Sequence, residues 1–297
     1  MSATPAQIWA LPEELLIDTA MARRIIAEFI RGHLRQTGFE RVLLGLSGGI
    51  DSALVAYLVA EAIGAERLLC VMLPYRTSAP ASRADAEAVV AALGCASKLI
   101  EITPIVDGYF TGAVAAEGVS GVAEVQRLRL GNFAARARMA VLYDQSVVWG
   151  GLVMGTSNKT ETLLGYTTIF GDNAAALQPI GDLYKSQVRQ LAAEIGVPEQ
   201  ILRKPPTADL WAGQTDEAEV GLSYAEVDRL LYWLVDRRRT AEELVEMGFA
   251  DASVTRVAGL VAGSEFKRQT APVAKLSPRT PGVDYLYPRR RPRPKSG

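Results

Sequence analysis

The sequence predicts an α/β protein, a doubly wound parallel sheet with helices on both faces, continued by a C-terminal helical section. Three observations point there. Short apolar runs without alternation, such as Leu43-Leu44 and Leu68-Leu69-Cys70-Val71-Met72-Leu73, have the length of strands buried on both sides. Helical patterns separate these runs with short connections, the spacing of right-handed strand-helix-strand units. A glycine pair stands between the first run and the helix after it, and ligands of such sheets bind beyond the carboxyl ends of the strands.

Taken in order, Leu15, Leu16, Ala20, Ile25, Ile26, Phe29, Ile30 and Leu34 recur at helical spacing and Gly38 suits a helix end, so a helix is expected over about 15–38. It carries His33, the only histidine. No cysteine or carboxylate constellation stands beside it in sequence, so it reads as a surface or packing residue, and a histidine relay has one poorly placed candidate. The strand ending at Gly45 passes through Leu46-Ser47-Gly48-Gly49 into a helix over 50–62. Gly48 and Gly49 let the backbone take positive φ and approach an anion closely, with N–H groups and the helix dipole pointing at it. Ser47 and Ser52 add hydroxyl donors. Asp51, a carboxylate beside phosphates, makes sense with a divalent cation such as Mg²⁺ between the two. The alternative is an ordinary strand-to-helix turn with a Ser/Asp cap. Neither Gly-x-x-x-x-Gly-Lys-Ser/Thr nor a Gly-x-Gly-x-x-Gly after a strand occurs, so the kinase and dinucleotide readings lose their motif.

A second strand over 67–73 stops at Pro74, then a helix over 83–93 and a strand over 98–102 follow. The small, weakly patterned stretch 111–123 is expected to be a mobile connection. After a helix over about 131–145, the strand 151–154 delivers Gly155-Thr156-Ser157-Asn158-Lys159-Thr160-Glu161. This second polar loop should open on the same sheet edge as the first, bringing Glu161 within reach of a metal held by Asp51. The alternative places Glu161 in a first helical turn for its dipole. Residues 178–185 lead into an amphipathic helix ending near Ile195-Gly196. The proline-containing, acidic stretch 204–220 makes a poor helix or strand and a good lid. Helices are expected over 224–236, 241–247 and 252–263.

The 297 residues are 49% hydrophobic and 22% charged, enough for a full core. With 32 Lys+Arg against 33 Asp+Glu the net charge is −1, which argues against a general nucleic-acid or membrane partner. Only the stretch 288–295 is locally basic, and it reads as a solvated end. Cys70 and Cys95 are too few for a disulfide framework or zinc cluster and lie in apolar contexts, so both are expected to be buried thiols of a reducing compartment. No leader pattern and no apolar run of membrane-spanning length is found, and a cytoplasmic location is expected. That empties the sequon Asn158-Lys159-Thr160 of its usual meaning.

Ser47-Gly48-Gly49-Ile50-Asp51-Ser52 resembles the phosphate loop of the ATP pyrophosphatases, the PP-loop enzymes. Further stretches are Gly131-Asn132 with Arg136-x-Arg138-Met139, the 155–161 loop, Phe170-Gly171-Asp172, and Pro179-Ile180-Gly181-Asp182-Leu183-Tyr184-Lys185. With these, residues 204–210, Thr215-Asp216-Glu217-x-Glu219 and Glu265-Phe266-Lys267-Arg268 make the chain similar to NAD synthetases of this class over about 16–275. The resemblance implies an adenine nucleotide alpha hydrolase-like fold, one domain over 1–275 with a lid at about 204–220, and a flexible Pro/Arg-rich tail over 276–297. It implies ligation of ammonia to deamido-NAD⁺ through an adenylylated carboxylate, with ATP giving AMP and pyrophosphate, and a homodimer.

By position, the resemblance assigns ATP to Gly45, Leu46, Ser47, Gly48, Gly49, Ile50, Asp51, Ser52 and Thr156, with Lys185 and Thr207 reaching the phosphates. It makes Asp51, Lys185 and Thr207 catalytic, gives Mg²⁺ to Asp51 and Glu161, and places Arg138, Asp172 and Lys267 near deamido-NAD⁺. Ile169, the segment 173–176 ending at Ala176, and Phe266 depart from the commonest family pattern. All three lie on the dinucleotide side, so the identity of the acid stays more open than ATP cleavage. The chain shows neither the length nor the cysteine motif of an added amidase domain. Free ammonia is therefore the expected donor, with a separate glutaminase subunit as the alternative source. Two rival readings stand beside this one: another PP-loop enzyme, amidating a different carboxylate or thiolating tRNA, and a catalytically silent nucleotide-binding protein.

Overall fold

Four strands, β1 (Arg41–Gly45), β2 (Leu68–Met72), β3 (Ala96–Leu99) and β4 (Gly151–Met154), form a parallel sheet in the order β3-β2-β1-β4 in the computed structural model, which describes residues 12–111, 123–205 and 221–285. The chain lays β1, β2 and β3 outward in one direction and then returns to the other side of β1. Leu44 thereby stands opposite Cys70 on one neighbour and Met154 on the other. The strand order reverses between β1 and β4, and at such a switch point the loops leaving the two strand ends open a crevice between them.

Alternate side chains of each strand go to opposite faces. Val42, Leu44, Leu68, Cys70 and Met154 join a core with helices α1 (Thr19–Thr37), α2 (Ile50–Ile63) and α3 (Pro80–Leu93). Leu43, Leu69, Val71 and Val153 pack on the other face, against Val106 of α4 (Thr103–Tyr109) and Ala134 and Ala137 of α5 (Ala123–Trp149). Helix α2 is buried nearly all round, with Ala53, Leu54, Val55, Ala56, Leu58 and Val59 fully inaccessible. That suits a helix apolar on every side. Beyond β4 come α6 (Lys159–Leu164), α7 (Lys185–Ile195) and α8 (Glu199–Arg203). The C-terminal helices α9 (Tyr224–Leu231), α10 (Ala241–Glu246) and α11 (Asp251–Gly263) follow. Their buried residues Val227, Leu231, Leu244, Val254 and Val257 cluster with Leu164 of α6 and with Tyr184, so this helical section leans on the loops at the crevice.

Several boundaries differ from the expected ones. Helix α1 starts at Thr19 because the Asp18 carboxylate accepts the Met21 N–H at 2.9 Å, while Glu13–Leu15 form a separate 3₁₀ turn. Helix α3 begins at Pro80, whose fixed φ suits a first turn. Helix α5 extends beyond the expected 131–145 at both ends, and β3 lies two residues before the expected start. Helix α9 passes at Tyr232–Asp236 into a wider π turn. Gly38 and Gly196 close their helices in the left-handed conformation, as their positions suggest.

The expected connection 111–123 lies, but for its ends, outside the described residues, as does the expected lid beyond Pro205. Cys70 and Cys95 are free and buried, their sulfurs 3.6 Å apart. His33 turns its ring to the Phe29 carbonyl at 3.0 Å, on the exposed side of α1. Among the described residues no helix is long and apolar enough to cross a membrane.

Candidate active site

The glycine loop leaves β1 with Leu46, whose N–H donates to the Val71 carbonyl at 2.9 Å and so prolongs the sheet by one residue. Gly48 then turns at φ 77°, and a Cβ there would stand 2.0 Å from the Ser82 carbonyl oxygen. Backbone conformation and backbone contact both demand glycine at this position. Ser47 and Ser52 tie the loop to itself. The Ser52 hydroxyl donates to the Gly49 carbonyl at 3.1 Å and accepts the Ser47 N–H at 3.2 Å, and the Ser47 hydroxyl accepts the Gly49 N–H at 3.2 Å. Both hydroxyls lie at the loop, spent on its internal bonds.

The second loop reaches the same place from β4. Asn158 caps α6: its side-chain oxygen accepts the Glu161 N–H at 3.0 Å, and Glu161 Oε2 accepts the Asn158 N–H at 3.3 Å. This reciprocal cap explains Glu161 by its own helix. The same glutamate also keeps Oε1 for Lys185, which donates to it at 3.2 Å. Asp51 is shared in the same way. Asn158 Nδ2 donates to Oδ1 at 2.9 Å and Lys185 Nζ to Oδ2 at 2.5 Å. Asn158 and Lys185 therefore each hold both carboxylates. With side chains 17% exposed for the acids and 3% for the lysine, this is a nearly buried ion triad.

Lys185 opens helix α7 and packs its ammonium over the Tyr224 ring, 5.4 Å from the centroid. Two carboxylate oxygens directed at one cation position, beside the glycine loop, form a donor set of hard oxygens suited to a small divalent ion. Among the described residues no third histidine, cysteine or acidic ligand joins them. Magnesium is commonly held in that way, by one or two carboxylates together with phosphates.

Thr156 lies in the loop between β4 and Asn158, while Thr207 falls outside the described residues. Arg138, Asp172 and Lys267 form a second group. Arg138 donates from Nε to the Leu73 carbonyl at 3.0 Å. Lys267 donates to the carbonyls of Gly165 and Thr167 at 2.6 and 2.8 Å. Asp172 accepts the Thr168 N–H at 2.6 Å. Crowding by protein pushes its carboxyl above the usual carboxylate range although one flank stays open, and that N–H and the charges of Lys267 and Arg138 pull the other way. Burial in turn lowers the Lys267 ammonium, against the pull of Asp172. Beside them a cavity of about 260 Å³ is lined by Ser157, Asn173, Gln178 and Lys267, among others. Among the described residues the buried Gln178 side-chain oxygen has no hydrogen-bond partner.

Sequence reasoning missed Asn158 as the bridge between the acids, and it missed Asp228. Asp228 is fully buried on α9 and accepts the Thr160 hydroxyl at 2.5 Å and the Ser186 N–H and hydroxyl at 2.7 and 2.6 Å. The signal for it is positional: it stands four residues after Tyr224 and one after Val227, on the apolar stripe of its helix.

A parallel sheet whose switch point carries a glycine-floored loop is the architecture of the PP-loop nucleotide-binding enzymes. Known proteins narrow the class. The family model described as NAD synthase matches residues 22–271, and the chain belongs to that family. An NH(3)-dependent NAD(+) synthetase of Trichlorobacter lovleyi is 49% identical over 275 residues, 93% of this chain and 97% of that protein. Among solved structures, the NMN synthetase of Francisella tularensis superposes with a TM-score of 0.76 at 29% identity, covering 87% of this chain and 99% of its own. The NH3-dependent NAD synthetase of Campylobacter jejuni, solved with a nitrate ion, reaches 0.72 at 32% identity, covering 88% and 100%.

Proposed function

We propose that the chain makes NAD⁺ by ATP-dependent amidation of deamido-NAD⁺ with ammonia, releasing AMP and pyrophosphate. The observation that carries this reading is the convergence of Asp51, Glu161 and Lys185 beside the glycine loop, in a member of the NAD synthase family. The chemical problem is that a carboxylate is a poor electrophile with an oxide leaving group. One carboxylate oxygen attacks the α-phosphorus of ATP, the bond to the bridging oxygen breaks, and pyrophosphate leaves. Ammonia then attacks the acyl carbon of the mixed anhydride, loses a proton, and AMP departs.

Neither step requires a covalent nucleophile from the protein, so the protein's work is positioning and charge neutralisation. In this reading residues 45–52 and Thr156 seat the nucleotide. Lys185 turns from its carboxylates to the phosphates, joined there by Thr207 from the lid at about 204–220. Asp51 and Glu161 would hold a magnesium ion, whose charge would offset that gathering on the departing pyrophosphate. Arg138, Asp172 and Lys267 orient the acid beside the cavity at Gln178. Ammonia as the donor follows the name of the T. lovleyi relative, matched over nearly the whole length of both chains. A homodimer belongs to the same reading. It is supported by the exposed apolar side chains of Leu128, Val147 and Val148 on α5 and is checked by sedimentation at assay concentration. The two free buried thiols suit the reducing cytoplasm.

The test is incubation with ATP, Mg²⁺, ammonium and deamido-NAD⁺, with nicotinate mononucleotide as the comparison acid because one structural relative is an NMN synthetase. AMP and NAD⁺ appearing in equal amounts is the expected result. AMP formed only with the mononucleotide overturns the choice of acid, and no AMP with either overturns the function.

A further inference from the structure

Lys185 and Glu161 sit at the starts of two different helices, so something must fix those helix starts against each other. A buried hydroxyl at the start of α6 reaches the start of α7. Thr160, the residue before Glu161, donates its hydroxyl to Asp228 at 2.5 Å and with the same oxygen accepts the backbone N–H of Lys185 at 2.9 Å. Asp228 also accepts the next backbone N–H, that of Ser186, at 2.7 Å, together with the Ser186 hydroxyl at 2.6 Å. The first two N–H groups of α7, which have no partner within their own helix, thus end on a Thr160–Asp228 couple supplied by α6 and α9. Thr160 and Asp228 are fully inaccessible, and Ser186 nearly so.

Helix α9 enters twice: Asp228 braces the backbone of Ser186, the residue after Lys185, and Tyr224, one turn earlier, faces the Lys185 ammonium. We propose that Asp228, acting through Thr160 and the N-terminal amides of α7, is a positioning residue that sets Lys185 and Glu161 in register for the nucleotide. This rests on the functional reading above, in which Lys185 serves the phosphates. Burying a carboxylate this deeply is costly. Burial pushes its carboxyl above the ordinary range, while the Ser186 and Thr160 donors and the charge of Lys185 pull it back. Leucine would fill the same space but would leave the buried Ser186 N–H and the Thr160 and Ser186 hydroxyls without their acceptor.

The couple can be broken at either end without emptying space. Asp228→Asn keeps the shape, but its amide nitrogen turns a donor toward Thr160 or Ser186. Thr160→Val removes the hydroxyl at constant volume, and Thr160→Ser restores it. With each variant judged folded by circular dichroism and assayed below its melting point, Asp228→Asn and Thr160→Val are expected to lose about tenfold or more in kcat/KM for ATP. Their KM for deamido-NAD⁺ should stay at the wild-type value, and Thr160→Ser should recover most of the loss. A merely structural role lowers the melting temperature and leaves kcat/KM for ATP alone. Wild-type kcat/KM in folded Thr160→Val overturns the proposal. If Asp228→Asn does not fold, the comparison of Thr160→Val with Thr160→Ser decides by itself. If the wild type makes no NAD⁺, the functional reading fails, and calorimetric affinity for Mg·ATP decides this one: weaker binding in Thr160→Val than in Thr160→Ser supports it, and equal binding overturns it.

Discussion

Lys185 is a buried cation held between the two carboxylates proposed to take the metal, and its burial makes that placement consequential. Removing one partner of a buried ion pair is far costlier than replacing the whole pair, because the remaining charge stays desolvated. Lys185→Met leaves Asp51 and Glu161 facing each other, both only 17% exposed. It should lower stability by about 3 kcal/mol. Millimolar Mg²⁺ should then raise the melting temperature of the variant more than that of the wild type, since the competing ammonium is gone. Equal Mg²⁺ shifts in the two proteins would remove the metal from this position.

At the scale of elements, the loop between β1 and α2 depends on one glycine. Gly48→Ala demands a left-handed alanine, about 1–2 kcal/mol against it. It also drives a Cβ to 2.0 Å from the Ser82 carbonyl, a contact only backbone movement relieves. The variant should be destabilised beyond the conformational cost and should lose Mg·ATP affinity. Wild-type binding in calorimetry would mean that the loop does not cradle the nucleotide. Strand and helix identity was largely legible, because buried parallel strands read as unbroken apolar runs and glycines close helices, as at Gly38 and Gly196. Helix starts were less so. Asp18 and Asn158 act through side-chain bonds to N–H groups, which apolar periodicity does not register.

For the whole molecule, the least legible feature was strand order. That both polar loops open on one sheet edge follows from a parallel sheet. That β4 lies beside β1, so that Asp51 and Glu161 share Asn158 and Lys185, depends on pairing across more than a hundred residues. Local pattern carries no information about it. Asp228 was hidden differently: an aspartate on an amphipathic helix normally reads as a solvated charge, and only its place on the apolar stripe marks it as buried. The fold brings three separate stretches, after β1, after β4 and at the start of α7, to one point at the switch between strands.

The most direct test is a crystal structure with a non-hydrolysable ATP analogue and Mn²⁺ in place of Mg²⁺, its anomalous signal marking the metal. The account predicts metal about 2–2.5 Å from oxygens of Asp51 and Glu161, the phosphates on residues 47–52, and Lys185 turned from the carboxylates to a phosphate oxygen. Metal and phosphates bound elsewhere, with Lys185 still clasped between its two acids, would contradict it.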